Sequence, residues 1–203
     1  MFAGPTSQRV FLQSATSSAT NKPAFFPPGA VDGYGDYFSE YLRSIGEPSL
    51  FAATKDRSAV SYRLVWLSGQ KGYLLAVRLA LNFDESASLI ATEEFGTKAP
   101  PARTERSLSG ADVRKFLELV EKAEFWSMPS VEEEKSKSSR KSYRLDASTW
   151  VFEGVRNGSY RVILRRAPEP SSFTEMVRFL TRDLAKLDES ASPHPSPGGR
   201  PSL

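Results

Sequence analysis

Residues 149–166 read TWVFEGVRNGSYRVILRR, and this stretch decides the fold. Asn157-Gly158 separates two runs of alternating character, and both residues tolerate the positive φ that a two-residue type I′ loop requires. With that loop, Arg156 pairs with Ser159, Phe152 with Ile163 and Trp150 with Arg165. Strand alternation then sorts the side chains into two faces. One carries Val151, Glu153, Val155, Tyr160, Val162 and Leu164, and reads as the core face. The other carries Trp150, Phe152, Arg161, Ile163 and Arg165. Aromatic and arginine side chains together are favoured in binding hot spots, so Trp150, Phe152, Arg161 and Arg165 are the candidate binding residues. The competing reading packs this face under the N-terminal segment or the first helix, with arginine stems covering the rings.

Glu153 falls between Val151 and Val155 on the core side. A buried acid must be paired or protonated. A structural ion pair with Arg63, Arg78 or Arg144 is one reading, and a tuned general acid or base is the other.

Outward from the hairpin, 60–67 (VSYRLVWL) and 73–83 (YLLAVRLALNF) alternate as strands. Further strands are expected at 88–95 and 103–108, and the strand before Asn157 is expected to begin near residue 143. Tyr37, Phe38, Tyr41, Leu42 and Ile45 follow helical spacing behind Asp36, with Gly46 and Pro48 as a stop. Ser109 reads as an N-cap before a stripe of Val113, Phe116, Leu117 and Val120, and Ser172 with Glu175 as a capping box before the last helix. The class that follows is α+β, an antiparallel sheet of about five to six strands with two to three helices, mostly on one face.

The 203 residues suit one core domain over 36–187, flanked by a mobile or loosely docked segment 1–35 and a disordered Pro/Ser-rich tail 188–203. Eight of the 14 prolines lie in those two ends. Segment 131–142 (VEEEKSKSSRKS) lacks an apolar period and reads as an exposed loop. No basic-then-apolar leader opens the chain and no apolar run is long enough to span a bilayer, so the expectation is a cytoplasmic protein without a membrane partner. The alternative is an exported protein whose leader is missing from this sequence.

Composition narrows the chemistry. With no cysteine, thiolate zinc sites, disulfides and cysteine nucleophiles are excluded. The single His194 lies in the tail, which removes a core histidine triad or histidine metal site. No phosphate-binding, dinucleotide or nucleophile-elbow motif is present, so no cofactor and no metal is expected. The net charge of +3 is too small to announce a nucleic-acid partner. Residues 140–166, however, hold seven basic side chains (Arg140, Lys141, Arg144, Arg156, Arg161, Arg165, Arg166) against Asp146 and Glu153, a local patch able to track phosphates.

Asp146, Trp150, Glu153-Gly154, Gly158, Tyr160 and Pro168, together with YLRSIGEPSL (41–50), YRLVWL (62–67) and FWSMP (125–129), resemble an uncharacterised bacterial protein family without assigned function. The resemblance implies a single compact domain and names no activity. Ala147 stands where that pattern has glycine, Arg161 where it has histidine and Arg166 where it has tryptophan. Any chemistry done by that histidine in relatives is lost here.

The expected function is therefore a non-enzymatic domain acting through protein–protein interaction, an immunity or inhibitor protein being one concrete form by analogy of size and fold class. Two alternatives stand beside it: nucleic-acid binding through the basic hairpin, and an enzyme using Glu153 with Tyr160 or Arg161 as acid/base. Oligomeric state is not legible.

Overall fold

In the computed structural model the described residues are 23–68, 72–82, 86–96, 100–130, 148–166 and 168–187. The loop expected at 131–142, the start of a strand near 143, Asp146, Arg144 and the tail 188–203 fall outside them.

The alternating runs form one antiparallel sheet of six strands: β1 (Val60–Ser68), β2 (Tyr73–Leu81), β3 (Ala87–Phe95), β4 (Ala102–Leu108), β5 (Thr149–Arg156) and β6 (Ser159–Arg166). Their spatial order is β4-β3-β2-β1-β5-β6. The first four make a meander, after which the chain crosses the sheet through helix α2 (Gly110–Lys122) and adds the β5–β6 hairpin on the far side of β1. The expected hairpin register is the observed one, Arg156 opposite Ser159 and Trp150 opposite Arg165, with Asn157 at φ 54° and Gly158 at φ 77°.

Each face of the sheet carries its own core. Tyr62, Leu64, Trp66, Leu75, Val77, Phe152 and Ile163 face Phe116, Val120 and Phe125 from α2 and its following turn, and Phe173, Met176 and Leu180 from the last helical segment. That segment is α3 (Ser172–Arg178) running into a π-helical turn (Phe179–Leu184). On the opposite face Val65, Leu74, Ala76, Val151, Val162 and Leu164 meet Phe38, Tyr41 and Leu42 of helix α1 (Gly35–Ser44) and Phe25, Phe26 and Val31 ahead of it. Two of three helices thus share one face, as the α+β reading requires. In the described part of 1–35, Phe25, Phe26 and Val31 are buried. Burying a phenylalanine or valine stabilises by roughly 1.5–3 kcal/mol, enough to hold so short a stretch down.

Local chemistry sets the element ends. Ser109 Oγ accepts from the Asp112 amide and caps α2, as its spacing predicts. Replacing Ser109 by Ala is expected to cost about 1 kcal/mol, read as a lower denaturation midpoint with unchanged slope, whereas Ser109→Asp keeps most of the stability. The cap of α3 sits one residue earlier than expected. Ser171 is extended (φ −162°) while Ser172 is already helical, and Thr174 completes the box by accepting from the Ser171 amide at 2.8 Å. Glu175 instead reaches Lys122 of α2 at 2.7 Å.

Candidate functional site

The two faces of β5 and β6 carry the candidate residues to opposite sides of the sheet. Trp150 and Phe152 lie beneath α3, with ring centroids 6.2 and 6.0 Å from Phe173. Phe152 also packs edge-on to Phe125 at 5.0 Å. Both are fully buried, so the face expected to hold a ligand holds the main core instead. The cover comes from α2, which crosses the sheet before β5, and from α3, which folds back after β6, and no local pattern in the hairpin encodes either. Arg165 acts as a backbone clamp: Nη2 donates to Pro129 O at 2.9 Å and Nη1 to Leu164 O at 2.8 Å. With the Leu164 amide donating to Ser130 O at 2.8 Å, it fastens the segment after α2 along the outer edge of β6. Arg161 lies half-buried opposite Gly154, on the helix-covered side.

Glu153 points the other way and meets the first of its three expected partners. Arg63 donates from Nε (2.8 Å) and Nη2 (2.6 Å) to Glu153 Oε1, and the Tyr160 hydroxyl donates to Oε2 at 2.7 Å. Arg63 Nη1 also donates to Pro48 O at 2.7 Å and contacts Glu47 Oε2 at 3.2 Å. Arg78, directly opposite Arg63 in the β1–β2 register, donates from Nε to the same Glu47 oxygen at 2.8 Å. Two arginines and two carboxylates therefore form one buried, formally neutral network.

Glu47 was not anticipated. It is delivered by the turn that ends α1, where the Glu47 amide bonds to Leu42 O and the Gly46 amide to Arg43 O. Gly46 adopts φ +72°, the left-handed conformation that glycine takes without steric cost. That reversal aims Glu47 at the sheet. Phe25 roofs the network, its ring 5.8 Å from the Arg63 guanidinium and 5.3 Å from that of Arg43. Glu47, Arg63, Glu153 and Tyr160 thus bring together three segments distant in sequence.

The Glu153 side chain has no solvent-exposed surface and both of its oxygens are engaged. Burial pushes its carboxyl upward, while Arg63 and the Tyr160 hydroxyl pull it back down. Burial and the adjacent carboxylate push the Tyr160 hydroxyl upward, so it stays protonated and donates. Arg161, on the opposite face from Glu153, cannot join it in acid/base work. The basic run fares similarly as a phosphate track. Arg156 is paired with Glu121, Arg166 with Asp32, and Arg165 is spent on backbone carbonyls, leaving Arg161 alone among the described basic residues of that run. Residues 140–147 lie outside the described chain.

A different surface is left open. Six of the seven residues of β4, all but Leu108, are exposed on both sides of the sheet. This strand is an edge of the sheet, and at its end Arg106 and Ser107 line a cleft with Asp183 and Lys186. At the other edge, β6, the Leu164 amide and the Arg165 side chain hold the segment Pro129-Ser130. The signal was in the sequence: ARTERS (102–107) alternates no apolar side chain larger than alanine onto either face.

Neither the protein-family models nor the curated proteins compared with the chain match it.

Proposed function

We propose that this chain is a non-enzymatic binding domain that acts through protein–protein interaction, and that it docks through the uncovered strand β4. The observation that carries the reading is the contrast between β4, exposed on both faces, and five strands lying under helices or the N-terminal segment. An edge strand offers a row of unpaired N–H and C=O groups, and an added strand satisfies them while alternate side chains set specificity. The buried Glu153 network, which ties β1, β2 and β5 together in the middle of the sheet, supports a scaffold role for those strands. An immunity- or inhibitor-like protein is one form such a domain takes.

Site-specific photo-crosslinking tests the reading in the native source. A crosslinker at Thr104 is expected to give a discrete protein adduct, and the same group at Lys115, exposed on α2, is expected to give none. No adduct at Thr104, or equal adducts at both positions, removes β4 as the docking edge.

A further inference from the structure

We propose that the protein docked on β4 is a second copy of this chain, paired antiparallel about Thr104 so that two six-stranded sheets become continuous. This rests on the reading of β4 as the docking edge and adds the identity of its occupant.

The argument is one of register. Two identical strands related by a two-fold axis perpendicular to the sheet keep their faces, so every residue must oppose one of the same face, and the axis must pass through a self-paired residue. For β4 that leaves a short set of centres. Arg103, Glu105 or Arg106 at the centre sets a like charge against its own copy, which is destabilising for directly opposed residues. Ala102 at the centre slides most of the strand past its partner and sets Pro101, which has no amide hydrogen, into the pairing. Ser107 at the centre drives Leu108 and the start of α2 into the join.

Thr104 at the centre avoids the like-charge pairs and moves Pro101 to the end of the ladder, opposite Ser107. Arg103 then opposes Glu105 of the second copy and Glu105 opposes Arg103, giving two opposite-charge pairs by symmetry, with Thr104 against Thr104 and Ala102 against Arg106. Thr–Thr and opposite-charge pairs are among the favourable cross-strand combinations. The β3–β4 register places Arg103 and Glu105 on one face, beside Thr92 and Ile90, and Ala102, Thr104 and Arg106 on the other, beside Glu93, Ala91 and Leu89. The small Ala102 leaves the long Arg106 side chain room. Among the described residues neither Arg103 nor Glu105 has an ion-pair partner within its own chain. Charges on an edge strand ordinarily repel other edges. Here their order attracts in one register, and a two-residue slip in either direction brings like charges together.

Sedimentation velocity on the full chain, from micromolar to submillimolar concentration, tests the proposal. The wild type is expected to dimerise. R103E and E105R, with circular dichroism showing them folded, should each weaken the dimer by about tenfold or more, because both symmetric pairs turn repulsive. Mixing R103E with E105R should restore a dimer, since two acidic positions on one strand then face two basic positions on the other; the doubly substituted R103E/E105R chain should also dimerise. Recovery in the mixture separates a register effect from misfolding. A wild type that stays monomeric throughout, or a dimer indifferent to the single reversals, overturns the proposal. A Thr104 crosslink to a different protein in that case leaves β4 as the docking edge and removes only the second copy.

Discussion

Replacing Arg63 by Met is expected to destabilise the fold by about 3–5 kcal/mol, the range for removing one partner of a buried ion pair. The size follows from what stays behind. Arg63 has no exposed side-chain surface and serves Glu153 through two nitrogens, Glu47 through a third contact and the Pro48 carbonyl besides. Without it Glu153 keeps only the Tyr160 hydroxyl and Glu47 keeps only Arg78. A second substitution separates lost attraction from stranded charge. Arg63→Met with Glu153→Leu removes both members of the closest pair and should be more stable than Arg63→Met alone, since replacing a buried pair by apolar groups is often close to neutral. Denaturant midpoints of the wild type, Arg63→Met, Glu153→Leu and the double variant give the coupling directly.

The single variant should also acquire a pH dependence. Burial raises the Glu153 carboxyl, and Arg63 is the largest influence opposing that rise. With Arg63 gone, the folded-state pKa moves further above the ordinary value of 4.5. Between those two values the folded chain binds more protons than the unfolded chain, so stability falls as pH rises through the window. The deficit of Arg63→Met relative to wild type should therefore be largest at neutral pH and shrink on acidification. A deficit independent of pH would mean that the carboxyl does not titrate in the fold.

Gly154→Ala is the second large effect, expected at about 1–3 kcal/mol from overpacking alone. A Cβ at residue 154 would stand 2.9 Å from Tyr62 Cδ1, 3.0 Å from Phe125 Cε1 and 3.1 Å from Tyr62 Cε1. These are ring atoms of fully buried side chains held by further aromatic contacts, Tyr62 with Phe116 at 5.4 Å and Phe125 with Phe152 at 5.0 Å. Gly154 lacks the positive φ of a turn glycine, so the cost is steric and not conformational. Shrinking the obstacle should therefore recover part of it: Phe125→Leu combined with Gly154→Ala should cost less than the two single changes added together. Strict additivity would place the clash elsewhere. The Glu-Gly pair thus works on both sides of the sheet, the acid binding Arg63 on one and the glycine admitting two rings on the other.

The elements and their pairing were legible because each rests on short-range chemistry. Asn157-Gly158 dictates its own turn, Ser109 its own cap, and period-two alternation its own strand. What lay beyond reach was which layer covers which face. The side chains of β5 and β6 are nearly as apolar on one face as on the other, and the deciding fact is that α2 carries the chain across the sheet before β5 begins. For that reason the sequence leaves Trp150, Phe152 and Arg165 open to a ligand or to a covering layer, and Phe173 and the carbonyls of Pro129 and Leu164 are what meet them. Arg63 was nameable as a partner of Glu153 from hydrophobic surroundings alone, but Glu47 arrives through a glycine-terminated helix, and only the tertiary turn shows where it points.

The strand order also prescribes a sequence of events in time. The meander β1–β4 closes through short connections, whereas β5 must find β1 from far along the chain; Arg63 and Glu153 are 90 residues apart. Long loop closure is paid for in entropy before the contact rewards it, which sets such pairings late. Until the distant hairpin arrives, the guanidinium on β1 and the carboxylate on β5 remain hydrated. Their dehydration accompanies the joining of the two parts of the sheet, and partial separation that left either charge buried without its partner would be costly, which couples the two parts.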